Sequence, residues 1–110
     1  MTVIVKTLIP AKVAENSQTT QYTASVTALI DKFTGTNYSG APATLSVNLV
    51  ASGDTAGNQN LVTKTKTLLA GEVYTFPELV GKALDAGGFI STLAGTANAI
   101  NIGCNGREIS

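Results

Sequence analysis

Between Ala43 and Ala51 the chain alternates without a break, with Leu45, Val47 and Leu49 in one set of positions and Thr44, Ser46, Asn48 and Val50 in the other. A period of two marks a strand packed on one face, so the first set is predicted to point inward. The same alternation runs from Thr20 to Ile30, where Tyr22, Ala24, Val26, Ala28 and Ile30 oppose Thr23, Ser25 and Thr27, and predicts a single half-buried strand. Thr2 to Leu8 reads as an edge strand, with Val3 and Val5 on one face, Ile4 and Lys6 on the other, and Pro10 ending the pairing. Leu61 to Leu69 alternates Thr63, Thr65 and Thr67 with Lys64 and Lys66, and reads as the second arm of a hairpin with Ala43–Ala51. A short strand, Glu72 to Phe76, would bring Val73 and Tyr74 to the core before Pro77 stops it. Phe89–Leu93 and Asn98–Cys104 are expected to form the last strand pair, with Phe89 and either Ile100 or its neighbours inward.

Between these runs lies turn chemistry. Phe33 to Pro42 holds Gly35, Asn37, Gly40 and Pro42 and is expected to be a surface loop, and residues 52–60 a mobile hairpin loop. Pro77 to Leu84 has the spacing for one or two helical turns at most. Without a long helix to bridge parallel strands, about seven or eight short strands with turns roughly every 8–12 residues predict an antiparallel β-sandwich, jelly-roll or immunoglobulin-like. At 110 residues, sixteen of them threonine, one such domain is what the chain can build.

Composition narrows the function classes. Seven basic and seven acidic residues cancel, leaving no field to gather nucleic acid or an anionic membrane, and only 13% of residues are charged. There is no histidine, so serine and cysteine relays that depend on it are excluded, and zinc would have only carboxylates and one thiolate. The single cysteine, Cys104, reads as a small buried hydrophobe in a reducing compartment. The opening residues lack the basic segment and cleavage site of a signal peptide, and no run is long enough to span a bilayer, which points to synthesis in a cytoplasm.

Individual motifs carry little chemistry. Gly81-Lys82 lacks the rest of a phosphate loop, since Phe76 stands where glycine and Ala83 where serine or threonine belongs. Asp54, Asn58 and Asn60 offer oxygen ligands for calcium but only one carboxylate, and Glu72 and Glu78 read as solvated charges rather than an acid–base pair. Asn37-Tyr38-Ser39 matches a glycosylation acceptor in a chain without a secretion signal, and Lys64 and Lys66 read as guards of a strand edge. No catalytic, cofactor or metal residues are therefore assigned. The candidate interface residues are Val3, Ile4, Val5 and Leu8, because apolar side chains on both faces of an edge strand call for contact on both sides. The arm about 1–14 is expected either to join a neighbouring subunit, with Pro10 as its hinge, or to be a strand within its own fold.

Two stretches carry a resemblance. Ser46-Val47-Asn48-Leu49-Val50-Ala51-Ser52-Gly53-Asp54-Thr55-Ala56-Gly57-Asn58 with Thr67-Leu68-Leu69-Ala70-Gly71-Glu72-Val73-Tyr74, then Leu84-Asp85-Ala86-Gly87-Gly88-Phe89-Ile90 with Ala97 to Gly103, resembles small virion proteins of tailed bacteriophages. In that family a "leucine, any, alanine, glycine, acid" turn precedes the penultimate strand, and here Gly88 stands in the acid's place. Residues 45–103 are covered and no functional residue is carried over. The resemblance implies a non-enzymatic virion protein made in the host cytoplasm: a capsid decoration or cement protein, homo-oligomeric, bound to the major capsid protein, or else a tail-associated subunit. A carbohydrate-binding module is the competitor from another class, disfavoured by the absence of tryptophan and the presence of only three tyrosines.

Overall fold

The computed structural model describes all 110 residues as nine strands and two single-turn 3₁₀ helices. In chain order the strands are β1 (Val3–Val13), β2 (Thr19–Thr23), β3 (Thr27–Asn37), β4 (Ala43–Val50), β5 (Leu61–Leu68), β6 (Val73–Tyr74), β7 (Ala83–Leu84), β8 (Phe89–Ala94) and β9 (Ile100–Ile109). All pairings are antiparallel. One sheet has the order β1-β9-β3-β6, with β7 also on β3, and the other has β2-β8-β4-β5, giving the β-sandwich the alternation predicts. Between the sheets lies one apolar core containing Ile9, Ile30, Phe33, Leu45, Val47, Phe76, Ile90, Ile100 and Ile102. Of the other expected core residues, Tyr22 and Leu49 pack half-buried against it, whereas Val26 lies outside it and Phe89, paired with Val50, falls on the outer face of β8 because the inward set there is Ile90, Thr92 and Ala94.

The β4–β5 hairpin forms as expected. Elsewhere the structure corrects the sequence reading. The run Thr20–Ile30 is two strands: β2 ends at Thr23, and the chain crosses to the other sheet before β3 begins at Thr27. Both strands line the same core from opposite sides, so the alternation continues through the crossing. The expected loop at Phe33 is the second half of β3, which continues to Asn37. Gly35 gives room to the Phe76 ring, since a Cβ there would stand a tight 3.0 Å from it. β8 and β9 do not pair; they lie in different sheets, joined by an arch over residues 95–99. The helical expectation reduces to a 3₁₀ turn at Pro77–Leu79, and Val73 points to solvent.

β1 also runs past its expected end. Pro10 sits within it, where Pro10 and Ala11 are set against Gly103 between the Ile9–Cys104 and Lys12–Ile102 pairs. An edge strand at a bulge is the one place in a sheet where a missing N–H costs no ladder bond.

β5 carries a second irregularity at Thr65, whose φ of 43° is left-handed and whose amide donates to Ser46 Oγ at 2.8 Å. A β-branched residue in that region is strained, whereas asparagine tolerates it. Thr65→Asn is therefore expected to stabilise the fold by about 0.5–1 kcal/mol, read as an increase in the urea midpoint.

Candidate interaction surface

Four exposed edges bound the two sheets, and the sequence explains how each is treated. β2 is five residues long and irregular between Thr20 and Tyr22. β6 and β7 are two residues each. β5 carries Lys64 and Lys66 and the break at Thr65, and Glu78 from the 3₁₀ turn reaches its Thr63. β1 is the longest, and its first five residues, Val3 to Thr7, pair with Ile109 to Asn105 of β9 without a break.

The backbone along this run is arranged in a defined way. Thr2 and Ser110 exchange both hydrogen bonds, at 2.8 and 2.9 Å, so the alternation of an antiparallel ladder assigns Ile4 and Lys6 to β9. The N–H and C=O groups of Val3, Val5 and Thr7 consequently face away from β9, onto the open edge. The side chains divide differently. Val3 and Val5 lie on the outer face of the sheet with Arg107, while Ile4 and Lys6 lie on the inner face with Glu108.

The four residues singled out in the sequence do not act together. Val3 and Val5, on the outer face, are 49% and 81% exposed, and Ile4, on the inner face, is 52% exposed. Leu8 is only 4% exposed. The register shift between Thr7 and Ile9 turns both Leu8 and Ile9 into the core, so Leu8 holds the base of the arm and does not present a surface. The arm itself pairs with its own β9 along its length. Val13, Tyr38, Leu69 and Val73 are exposed toward the opposite end, with Val13 and Val73 on the two edges of the sheet and Asn101 and Thr36 between them; there Asn37 N–H donates to Glu72 O and Gly71 N–H to Asn37 O. The body between the two ends measures 46 × 26 × 19 Å.

The polar clusters lock elements together. Tyr22 OH donates to Glu108 across the two sheets, and Lys6 Nζ reaches the same carboxylate at 3.2 Å. The Tyr22 hydrogen bond, assisted by Lys6, holds Glu108 below the usual carboxylate range against the opposing effect of burial. Burial and this carboxylate push the Tyr22 phenol far up. On the other side, Glu78 accepts from Thr63 and Tyr74, and Lys66 stacks 4.6 Å above the Tyr74 ring. Burial raises Glu78, but these hydrogen bonds and Lys66 outweigh it and hold the group low. Lys12 and Gln21 likewise lower Glu15. Each carboxylate binds a proton more weakly folded than unfolded, so its stabilisation is present at neutral pH and disappears as pH falls through the folded values, below the ordinary 4.5. Melting temperature is expected to fall across that acid range, and Glu108→Gln should flatten part of the slope. An unchanged slope would remove Glu108 from this account.

The loop at 52–60 is folded onto the outer face of β4. Asn48 Nδ2 donates to Gly57 O and Asn60 Oδ1, Gln18 donates to Asn48 Oδ1, and Ser46 and Asn48 are buried, although the alternation assigns them to solvent. The calcium arrangement does not assemble: Asn60 turns its Nδ2 toward Asp54, spends its oxygen on Asn48 and Gly57, and Asn58 is exposed. Asn37 is fully buried, donating to Ala41 O and Leu68 O, which closes the glycosylation motif to modification. The alternation contains no signal for either asparagine, since both bond to residues brought in by other parts of the chain. Cys104 lies in the core opposite Ile9 and Phe33, and burial pushes its thiol up to about 12.

No family model matches the chain, and no curated protein matches it. Among solved structures it is similar to one described as "Bacillus endospore appendages form a novel family of disulfide-linked pili", with a TM-score of 0.57 and 14% identity over 99% of this chain and 90% of that one. At that identity the likeness defines the fold.

Proposed function

We propose that this chain is a non-enzymatic structural subunit of a bacteriophage particle, a decoration or cement protein that stabilises the head through contacts between subunits and with the major capsid protein. The observation that carries this reading is the exposure of apolar side chains toward the two ends of an elongated molecule, Val3, Ile4 and Val5 at one and Val13, Tyr38, Leu69 and Val73 at the other. Groups of that kind mark contact surfaces. The resemblance of residues 45–103 to virion proteins supports the same class. Two of the three tyrosines are tied to Glu108 and Glu78, leaving Tyr38 as the tyrosine free to stack on a sugar, which weakens the carbohydrate-binding alternative. The test is co-sedimentation of purified protein with phage heads: saturable binding, weakened by Leu69→Asp or Val5→Asp, supports the reading, and protein remaining in the supernatant contradicts it.

The likeness to a pilus structure favours a second reading, a subunit of a filament or tail. Cys104 is buried, so this chain's one cysteine is not placed to link subunits by disulfides as those pili are described.

A further inference from the structure

We infer that the open edge of β1 is the seat of a two-fold symmetric dimer in which Val3–Thr7 pairs antiparallel with Val3–Thr7 of a second copy. The proposal goes beyond the functional reading, since it concerns the chain alone and holds or fails whichever particle the protein serves.

Edge strands are hazards that proteins blunt by shortness, bulges or lysines, and three sides of this molecule are blunted in these ways. The Val3–Thr7 run is blunted least, with one lysine, Lys6, on its inner face and a register shift only after Thr7. It is regular and its outer-face side chains are apolar or neutral. Its three outward-facing residues, Val3, Val5 and Thr7, present a donor and an acceptor each.

The sequence of the run selects a copy of itself as partner. Centring the two-fold axis on Val5 uses all three outward-facing residues: Val5 meets Val5 of the second copy, and Val3 meets Thr7. On the inner face Ile4 meets Lys6. The one charge in the run therefore lies beside an apolar side chain instead of its own counterpart, and the methylene stem of Lys6 covers the half-exposed Ile4. No like charges stand directly opposite; the two Lys6 residues are diagonal neighbours across the seam, and each is paired with Glu108 of its own copy at 3.2 Å. Pairing against β5 would instead set Lys6 near Lys64 and Lys66.

Symmetry makes the register testable. Val5→Cys should cross-link to itself under mild oxidation, because residues that exchange both hydrogen bonds have Cα atoms about 5.5 Å apart, within disulfide range. Val3→Cys and Thr7→Cys should each stay largely uncross-linked alone and should cross-link when the two variants are mixed. Cys104 is buried and should resist oxidation in the folded protein, and Cys104→Ala in each variant removes it from the result. In sedimentation equilibrium the unmodified full-length protein should double its mass with rising concentration, and Val5→Pro should remain monomeric. That proline removes an N–H that β9 does not use, so the fold is expected to survive, and the cross-linking decides the matter if it does not. A monomer at every concentration overturns the proposal, leaving the edge to a different chain. A dimer that persists in folded Val5→Pro, or cross-links of Val3→Cys alone equal to those of the mixture, also overturns it.

Discussion

Replacing Val47 by aspartate is expected to abolish the folded state or to cost at least about 4 kcal/mol. Val47 is fully buried at the centre of β4, paired with Thr92 of β8 on one side and Thr63 of β5 on the other, and its side chain lies in the apolar core between the sheets. No cationic side chain is among the core residues to receive a carboxylate. The charge must therefore be neutralised by protonation or released by opening the sandwich. Val47→Thr, close in shape and uncharged, should cost far less. Urea unfolding followed by circular dichroism measures both, and near-equal midpoints for the two variants would contradict the placement of Val47.

The second large effect is expected at Gly106, in β9 opposite Ile30 and Lys6. A Cβ built on it would stand 2.0 Å from Leu29 O and 2.7 Å from Leu8 Cδ1. The first of these is backbone in an adjacent strand and cannot rotate away, so any side chain forces the central ladder of the sheet apart. Gly106→Ala should cost about 3 kcal/mol and Gly106→Val more, above the usual range for an added methylene because backbone must move. Gly103, in the same strand, has no atom closer than 3.8 Å to its Cβ position. Gly103→Ala should be near neutral, and equal losses at the two glycines would refute the close approach at Gly106.

What the sequence disclosed, and what it concealed, follow from the range of the forces involved. β4 was legible because its period of two is flanked by turn residues and its inward set, Leu45 and Val47, faces the core directly. The crossing near Ala24–Val26 was not, because a chain passing from one sheet to the other around a shared core keeps its alternation. Gly35 and Asn37 looked like loop residues for a related reason. Phe76 packs on Gly35 and Leu68 O accepts from Asn37, contacts that no local pattern reports, whereas the bonds of Asn37 with Ser39 and Ala41 are the local turn its residue type announces. The buried outer face of β4 depends on the loop at 52–60 folding back over Asn48. At the candidate surface, Val3, Ile4 and Val5 were legible as apolar residues on both faces of an edge. Leu8 was misplaced because a bulge shifts the face by one residue and leaves no mark in the hydrophobic pattern.

Quantitative mass spectrometry of purified phage particles tests the central claim most directly. The account predicts peptides of this protein at a copy number in fixed proportion to the major capsid protein, retained after sedimentation through a density gradient. Finding the protein in the soluble fraction of the lysate, absent from particles or present only at traces that vary between preparations, would contradict it.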